Sequence, residues 1–238
     1  MASLGSPRWI ITRRSAVEVN DATSPGVPST PEMSIESLDH NKAVSYLGID
    51  GDEESWSQFD DYHRAALQRL EASGIDFALM ASNTPHDRYA TIVRGIGIPV
   101  SIFEVVAQES ARMGAREVLI LGTATTMRSS RCREEFAKYG VEAAGPQDET
   151  VRTMTVRLIA ELQLGKVDRA PEWLGRIVRS AAAPEFTRRL VVCLACTELA
   201  LAFPGQKMLA NFECDGVLYV NSAAVHINAV FDFAVGGD

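Results

Sequence analysis

Apolar and polar positions alternate along this chain in two distinct periods. Short, nearly continuous apolar runs read as buried strands of a parallel sheet: 76–82, 98–102, 117–121, 141–144 and 190–195. Between them lie stretches with apolar residues every three or four positions, the period of amphipathic helices. Such stretches cover 55–73, where Trp56, Phe59, His63, Leu67 and Leu70 share a face, then 103–113, 126–138, 147–164 and 171–182. A short helix is expected from Pro85 to about Gly95, and another after 196. Near the carboxyl end, 207–212 and 216–220 read as strands and 221–234 as a final helix. Toward the amino end, 9–12 and 32–37 are short strand candidates, and 38–54 is polar and reads as loop. Pro25, Pro28 and Pro31 forbid a helix across 24–31.

Strands that alternate with helices imply doubly wound α/β architecture with parallel sheets. The strand–turn–helix unit recurs with small polar residues in its turn, as Ser82-Asn83-Thr84, Gly122-Thr123-Ala124-Thr125 and Cys196-Thr197. This repetition predicts two similar α/β halves facing each other, with ligand in the cleft where both sets of strand ends meet.

Composition narrows the picture modestly. The 238 residues, 46% hydrophobic, suffice for one large domain or two smaller ones. The formal charge of -8 and the lack of a basic stripe argue against nucleic acid as a partner. No apolar run approaches the length of a membrane span, and Trp9-Ile10-Ile11 before Arg13-Arg14 is too short for a signal-peptide core, so a cytoplasmic protein is expected. Its four cysteines are then thiols. Cys193 and Cys196 have CxxC spacing, but on a strand they point to opposite faces and no second ligand pair exists, so no metal is expected.

The candidate chemistry sits in the turns. Cys196 falls at a strand end and a helix start, where dipole and free N–H groups are expected to lower a thiol's pKa. Ser82 holds the equivalent place in the other half. Thr and Asn side chains with exposed N–H groups in such turns suit a carboxylate. A thiol and a hydroxyl on opposite sides of one carbon suit proton removal from one face and return to the other.

Several motifs, in order, carry a family resemblance: Ala81-Ser82-Asn83-Thr84-Pro85-His86, Gly122-Thr123-Ala124-Thr125-Thr126-Met127, Ala195-Cys196-Thr197-Glu198-Leu199, and Asn221-Ser222 with His226. The chain resembles the aspartate/glutamate racemase superfamily over roughly residues 32–238. That resemblance implies amino-acid racemisation without pyridoxal phosphate or another cofactor, on a small amino-acid or dicarboxylate substrate. It implies two pseudo-symmetric, three-layer flavodoxin-like domains, 1–102 with 207–238 and 103–206, with residues 1–31 divergent or partly disordered, and a homodimer. Cys196 takes the place of the second catalytic cysteine and Ser82 that of the first. Asn83, Thr84, Thr123, Thr126 and Thr197 correspond to residues holding the substrate carboxylate and amino group. His226 and Glu198 fall behind them, and Arg128 and Lys166 are cations able to meet a side-chain carboxylate. Three positions depart from the family pattern. Ser82 is far less acidic than a thiol, Asn221 replaces an Asp, and 9–14 lacks the usual Gly-rich first turn. Two further readings stay open: a one-face lyase or isomerase using Cys196 alone, and a relative that binds a small carboxylate without turning it over.

Overall fold

The computed structural model describes residues 34–75, 77–96, 101–181 and 190–234. The expected strand at 9–12, the proline-rich stretch and most of the expected strand at 98–102 lie outside the described residues. The described residues divide into two compact units. One comprises 34–75, 77–81, 88–96 and 230–234; the other comprises 82–87, 101–181 and 190–229.

The second unit is built on five strands: β1 Glu117–Gly122, β2 Glu142–Ala144, β3 Val191–Ala195, β4 Asn211–Cys214 and β5 Val217–Asn221. Their order in the sheet is β2-β1-β3-β5-β4. The first four in that order run parallel, with Val118 opposite Val191 and Cys193 opposite Val220. β4 runs antiparallel to β5, which corrects the expectation of an all-parallel sheet. The cause is local. Asp215 (φ 50°) and Gly216 (φ 75°) are both left-handed and join Cys214 to Val217 as a two-residue hairpin turn. The expected second domain ends at 206, but the sheet continues through β4 and β5.

Strand alternation feeds two cores, one on each sheet face. Leu119, Leu121, Val192 and Leu194 pack against helices Glu149–Gln163 and Ala170–Ala181. Val118, Ile120, Val191 and Cys193 pack against Ile102–Arg112 and Ser130–Lys138. The unit is therefore helix–sheet–helix in three layers. One expected helix, 126–138, is two: Ala124–Arg128 and Ser130–Lys138. Ser129 breaks it by capping the second, its Oγ accepting the Cys132 N–H at 2.8 Å.

The first unit holds helices His40–Ser45, Ser57–Ala72 and Tyr89–Ile92, and the chain's last helix, Ser222–Ala234, ends in it. In chain order the helices are α1 (40–45), α2 (57–72), α3 (89–92), α4 (102–112), α5 (124–128), α6 (130–138), α7 (149–163), α8 (170–181) and α9 (222–234). As expected, Phe59, His63 and Leu67 of α2 are buried on one face, with Trp56 just ahead of it. Trp56, Phe59 and Leu67 close on Ala78, Met80 and Ile92. Arg88 is held between Asp60 (2.8 Å) and Glu53 (2.7 Å) and lies over the Trp56 ring. Residues 77–82, expected as a strand, join no ladder among the described residues, though Ala78 and Met80 are buried and Phe77 and Leu79 less so. The loop expected at 38–54 contains α1, and Ile102 opens α4 rather than ending a strand. No helix among the described residues is long and apolar enough to cross a membrane.

Candidate active site

β3 delivers the thiol. Alternation sends Cys193 into one core and Cys196 into the other. Cys196 stays extended (φ −148°, ψ 132°) and caps a 3-10 turn, Thr197–Ala202, in place of the expected short α-helix. The turn folds the Glu198 side chain back onto the sulfur. Cys196 Sγ lies 3.0 Å from Glu198 Oε2, and the Thr197 hydroxyl donates to the same oxygen at 2.9 Å. Gln163 Nε2 reaches Glu198 Oε1 at 3.4 Å. The backbone N–H groups of Thr197 and Glu198 lie near the sulfur and favour its charged form.

This arrangement reverses the expected pKa shift of Cys196. Burial pushes the thiol well above its ordinary range, the Glu198 charge and hydrogen bond add to this, and the two backbone N–H groups oppose it only in part. At neutral pH Cys196 is therefore a thiol whose hydrogen bond runs to a carboxylate. Burial likewise holds Cys193 protonated, and it pushes Cys132 up to about 12.

β1 delivers the hydroxyls. Gly122 ends the strand against β3, where a Cβ would sit 2.6 Å from the Ala195 carbonyl oxygen, so no larger residue fits without moving one strand end. Thr123 follows and caps α5, its Oγ1 accepting the Thr126 N–H at 3.3 Å. The same Oγ1 is 3.0 Å from both Thr84 Oγ1 and Thr126 Oγ1. Thr84 and Thr123 are half-buried, and Thr126 is buried.

The turn 82–87 is held at three points within the same unit. Asn83 is buried, and its Nδ2 donates to Ser222 Oγ at 3.1 Å. Ser222 Oγ in turn donates to the Leu194 carbonyl at 2.8 Å, which ties the turn to the end of β3. His86 Nδ1 accepts the Ile102 N–H at 3.2 Å, which places a neutral ring's proton on Nε2. Its ring meets the His226 ring edge-on at 5.5 Å, and both histidines are buried. Asp87 accepts a short hydrogen bond from Ser129 Oγ. Ser82 itself is half-buried.

The sequence reading divides Ser82, Asn83, Thr84 and His226 from Thr123, Thr126, Cys196, Thr197 and Glu198 as two domains facing one cleft, whereas the fold holds all nine in one compact unit. It did not foresee the His86–His226 pairing or the Asp87–Ser129 bond. Ser129 three residues before Cys132 is an N-cap spacing that signals the break between α5 and α6. Asn221 donates from Nδ2 to the Lys207 carbonyl at 2.9 Å, a bond an Asp carboxylate at this place would not make. Lys166 pairs with Glu161 at 2.7 Å and Arg128 with Glu149 at 3.0 Å.

These features define an α/β protein with a thiol–carboxylate pair and a hydroxyl cluster at the carboxyl ends of parallel strands. The model of the Asp/Glu/hydantoin racemase family matches residues 21–230, and the chain belongs to that family. Its fold is similar to an aspartate racemase homologue from Pyrococcus horikoshii, with 26% identity and a TM-score of 0.67 over 93% of this chain and 91% of that one. It is also similar to a protein from Yersinia pestis provisionally described as an Asp/Glu racemase, with 22% identity and a TM-score of 0.72 over 93% and 91%. An aspartate racemase from Picrophilus torridus aligns at 18% identity and a TM-score of 0.59 over 82% of this chain and 74% of that one.

Proposed function

We propose that the protein is a cofactor-independent amino-acid racemase or epimerase acting by proton transfer at Cα. The observation that carries this reading is the 3.0 Å contact from Cys196 Sγ to Glu198 Oε2. A buried thiol is a poor base until its proton has somewhere to go, and the carboxylate is that place. Once substrate is bound, the Cys196 proton passes to Glu198. The sulfur, steadied by the Thr197 and Glu198 N–H groups, then takes the proton from one face of Cα. The electron pair left on Cα delocalises into the substrate carboxylate. Ser82, directly or through water, returns a proton to the other face, solvent replaces the one it gives, and Glu198 releases the proton it took from Cys196 to solvent, which restores the resting pair.

In this reading Thr84, Thr123 and Thr197 meet the substrate's carboxylate and amino group, while buried Asn83 ties its turn to Ser222 and buried Thr126 supports Thr123 at 3.0 Å. His226 supports the turn through its contact with His86. Family membership supports a small amino-acid or dicarboxylate substrate, pseudo-symmetric halves and a homodimer as parts of the same proposal.

A second reading is favoured by one residue. Ser82 is a hydroxyl where the two-face mechanism wants an acid, so chemistry on the Cys196 face alone, such as decarboxylation or isomerisation of an unsaturated diacid, is the alternative. Proton NMR in D2O with single enantiomers of aspartate, glutamate and neutral amino acids separates the readings. Deuterium at Cα with inversion supports racemisation. Loss of carbon dioxide or cis–trans isomerisation supports the one-face enzyme. Ligand-dependent melting shifts without turnover would leave only a binding protein.

A further inference from the structure

Three arginines line one small cavity away from Cys196. The cavity, about 290 Å³, opens where β2 ends, between the end of α5 and the start of α7, and Arg128, Arg133 and Arg152 face it with Gly145 and Gln147. Gly145 keeps its floor closed: a Cβ there would sit 2.2 Å from the Met127 carbonyl oxygen. Two of the guanidiniums already share an anion. Arg128 and Arg152 approach Glu149 Oε2 at 3.0 and 2.7 Å. Arg133 donates to the Arg128 carbonyl at 3.0 Å and pairs with no carboxylate among the described residues. The neighbouring Asp148 is committed to the α7 cap, accepting the Thr150 N–H at 2.7 Å. Three guanidiniums therefore face one carboxylate, and the 15-residue helix α7 begins beside them with its partial positive charge.

We infer that this cavity binds a small phosphate monoester, which displaces the Glu149 carboxylate from between Arg128 and Arg152 and gains Arg133. Glu149 is free to leave, its side chain being 62% exposed. A tetrahedral dianion accepts paired N–H donors from several directions at once, whereas a carboxylate offers them one plane, so three guanidiniums on one cavity suit phosphate better. The volume exceeds what inorganic phosphate fills and leaves room for a small organic group. The inference rests on this cavity alone, and its failure would leave the racemase reading untouched.

Isothermal titration of the full chain with glycerol phosphate, at ionic strength held constant with chloride, tests it. The expected result is saturable binding at one site per chain. Arg133→Ala, at an exposed side chain, should weaken it by about tenfold, the cost of one charge-assisted contact. Glu149→Gln should tighten it, because the internal competitor is gone, and Cys196→Ala should leave it unchanged. Heat without saturation, or equal binding by the Arg133 and Glu149 variants and the parent, would overturn the site. Succinate binding as tightly as glycerol phosphate would overturn the preference for phosphate, and inorganic phosphate binding as tightly would overturn the ester. Arg152→Ala should weaken binding at least as much as Arg133→Ala; should it unfold through loss of its bond to the Pro146 carbonyl, Arg133→Ala still decides the question.

Discussion

The turns 82–87 and 196–198 share a plan: small polar residues lead into a 3-10 turn, Thr84–Arg88 in one case and Thr197–Ala202 in the other. Their hydrogen bonds are spent differently. In 196–198 the Glu198 carboxylate, the Thr197 hydroxyl and two backbone N–H groups gather on or beside one sulfur. In 82–87, Asn83 is tied to Ser222, His86 to Ile102 and Asp87 to Ser129, and each bond fixes where the turn lies. One turn is organised around a single sulfur atom and the other around its own position. In the proposed reaction Cys196 therefore carries the demanding step, and Ser82 works by being correctly placed.

The largest test of this contrast is Cys196→Ala, which should reduce any Cα proton exchange on the order of a thousandfold, as expected for loss of a general base. Ser82→Ala should cost far less, and equal losses would erase the distinction. Glu198→Gln comes next. It removes a charge that raises the thiol pKa, so iodoacetamide should alkylate Cys196 faster near neutral pH, while turnover falls by about a hundredfold for want of a proton acceptor. Slower alkylation together with slower turnover would mean that Glu198 only shapes the turn. In the parent, alkylation should climb as pH rises past the ordinary thiol range, because the folded pKa lies above it. Ser82→Cys should sharpen the comparison in the opposite direction, raising racemisation by about tenfold as an acidic group replaces a hydroxyl.

How far the residues alone reveal this depends on where the information lies. The strand 191–195 is legible because a parallel strand buried on both faces is apolar throughout, and its alternation correctly sends Cys193 and Cys196 to opposite cores. Helix α2 is legible because Phe59, His63 and Leu67 recur at helical spacing. Helix α1 is not legible because it buries nothing; it is held by its Asp39 cap, which accepts the Lys42 N–H, and so leaves no hydrophobic pattern to read. The β4–β5 hairpin is hard to read because strand periodicity is blind to direction, which the Asp215-Gly216 pair sets. The thiol's pKa eludes the sequence for a related reason. Sequence places Cys196 at the start of a turn, where the dipole acts, but only the fold buries the sulfur and brings Glu198 back onto it.

Smaller effects probe the frame around the two turns. Arg88→Ala leaves Asp60 buried without its partner and should lower the stability of the first unit by about 3–5 kcal/mol, seen as a drop in urea midpoint. His63 titrates with the opposite consequence from a paired histidine. Burial depresses its folded pKa below 6.5, so its contribution is complete above that value and is lost as pH falls through it, when the unfolded chain takes up the proton first. Melting curves at successive pH values should show the parent losing more stability than His63→Gln below pH 6.5.

The most direct measurement of the central claim is solvent exchange at Cα. The protein, incubated in D2O with each enantiomer of aspartate and glutamate in turn, is compared with its Cys196→Ala and Glu198→Gln variants. The account predicts Cα deuterium, accompanied by the opposite enantiomer, from the parent chain on at least one of these substrates, with both variants nearly silent. Exchange that continues undiminished in Cys196→Ala would contradict it.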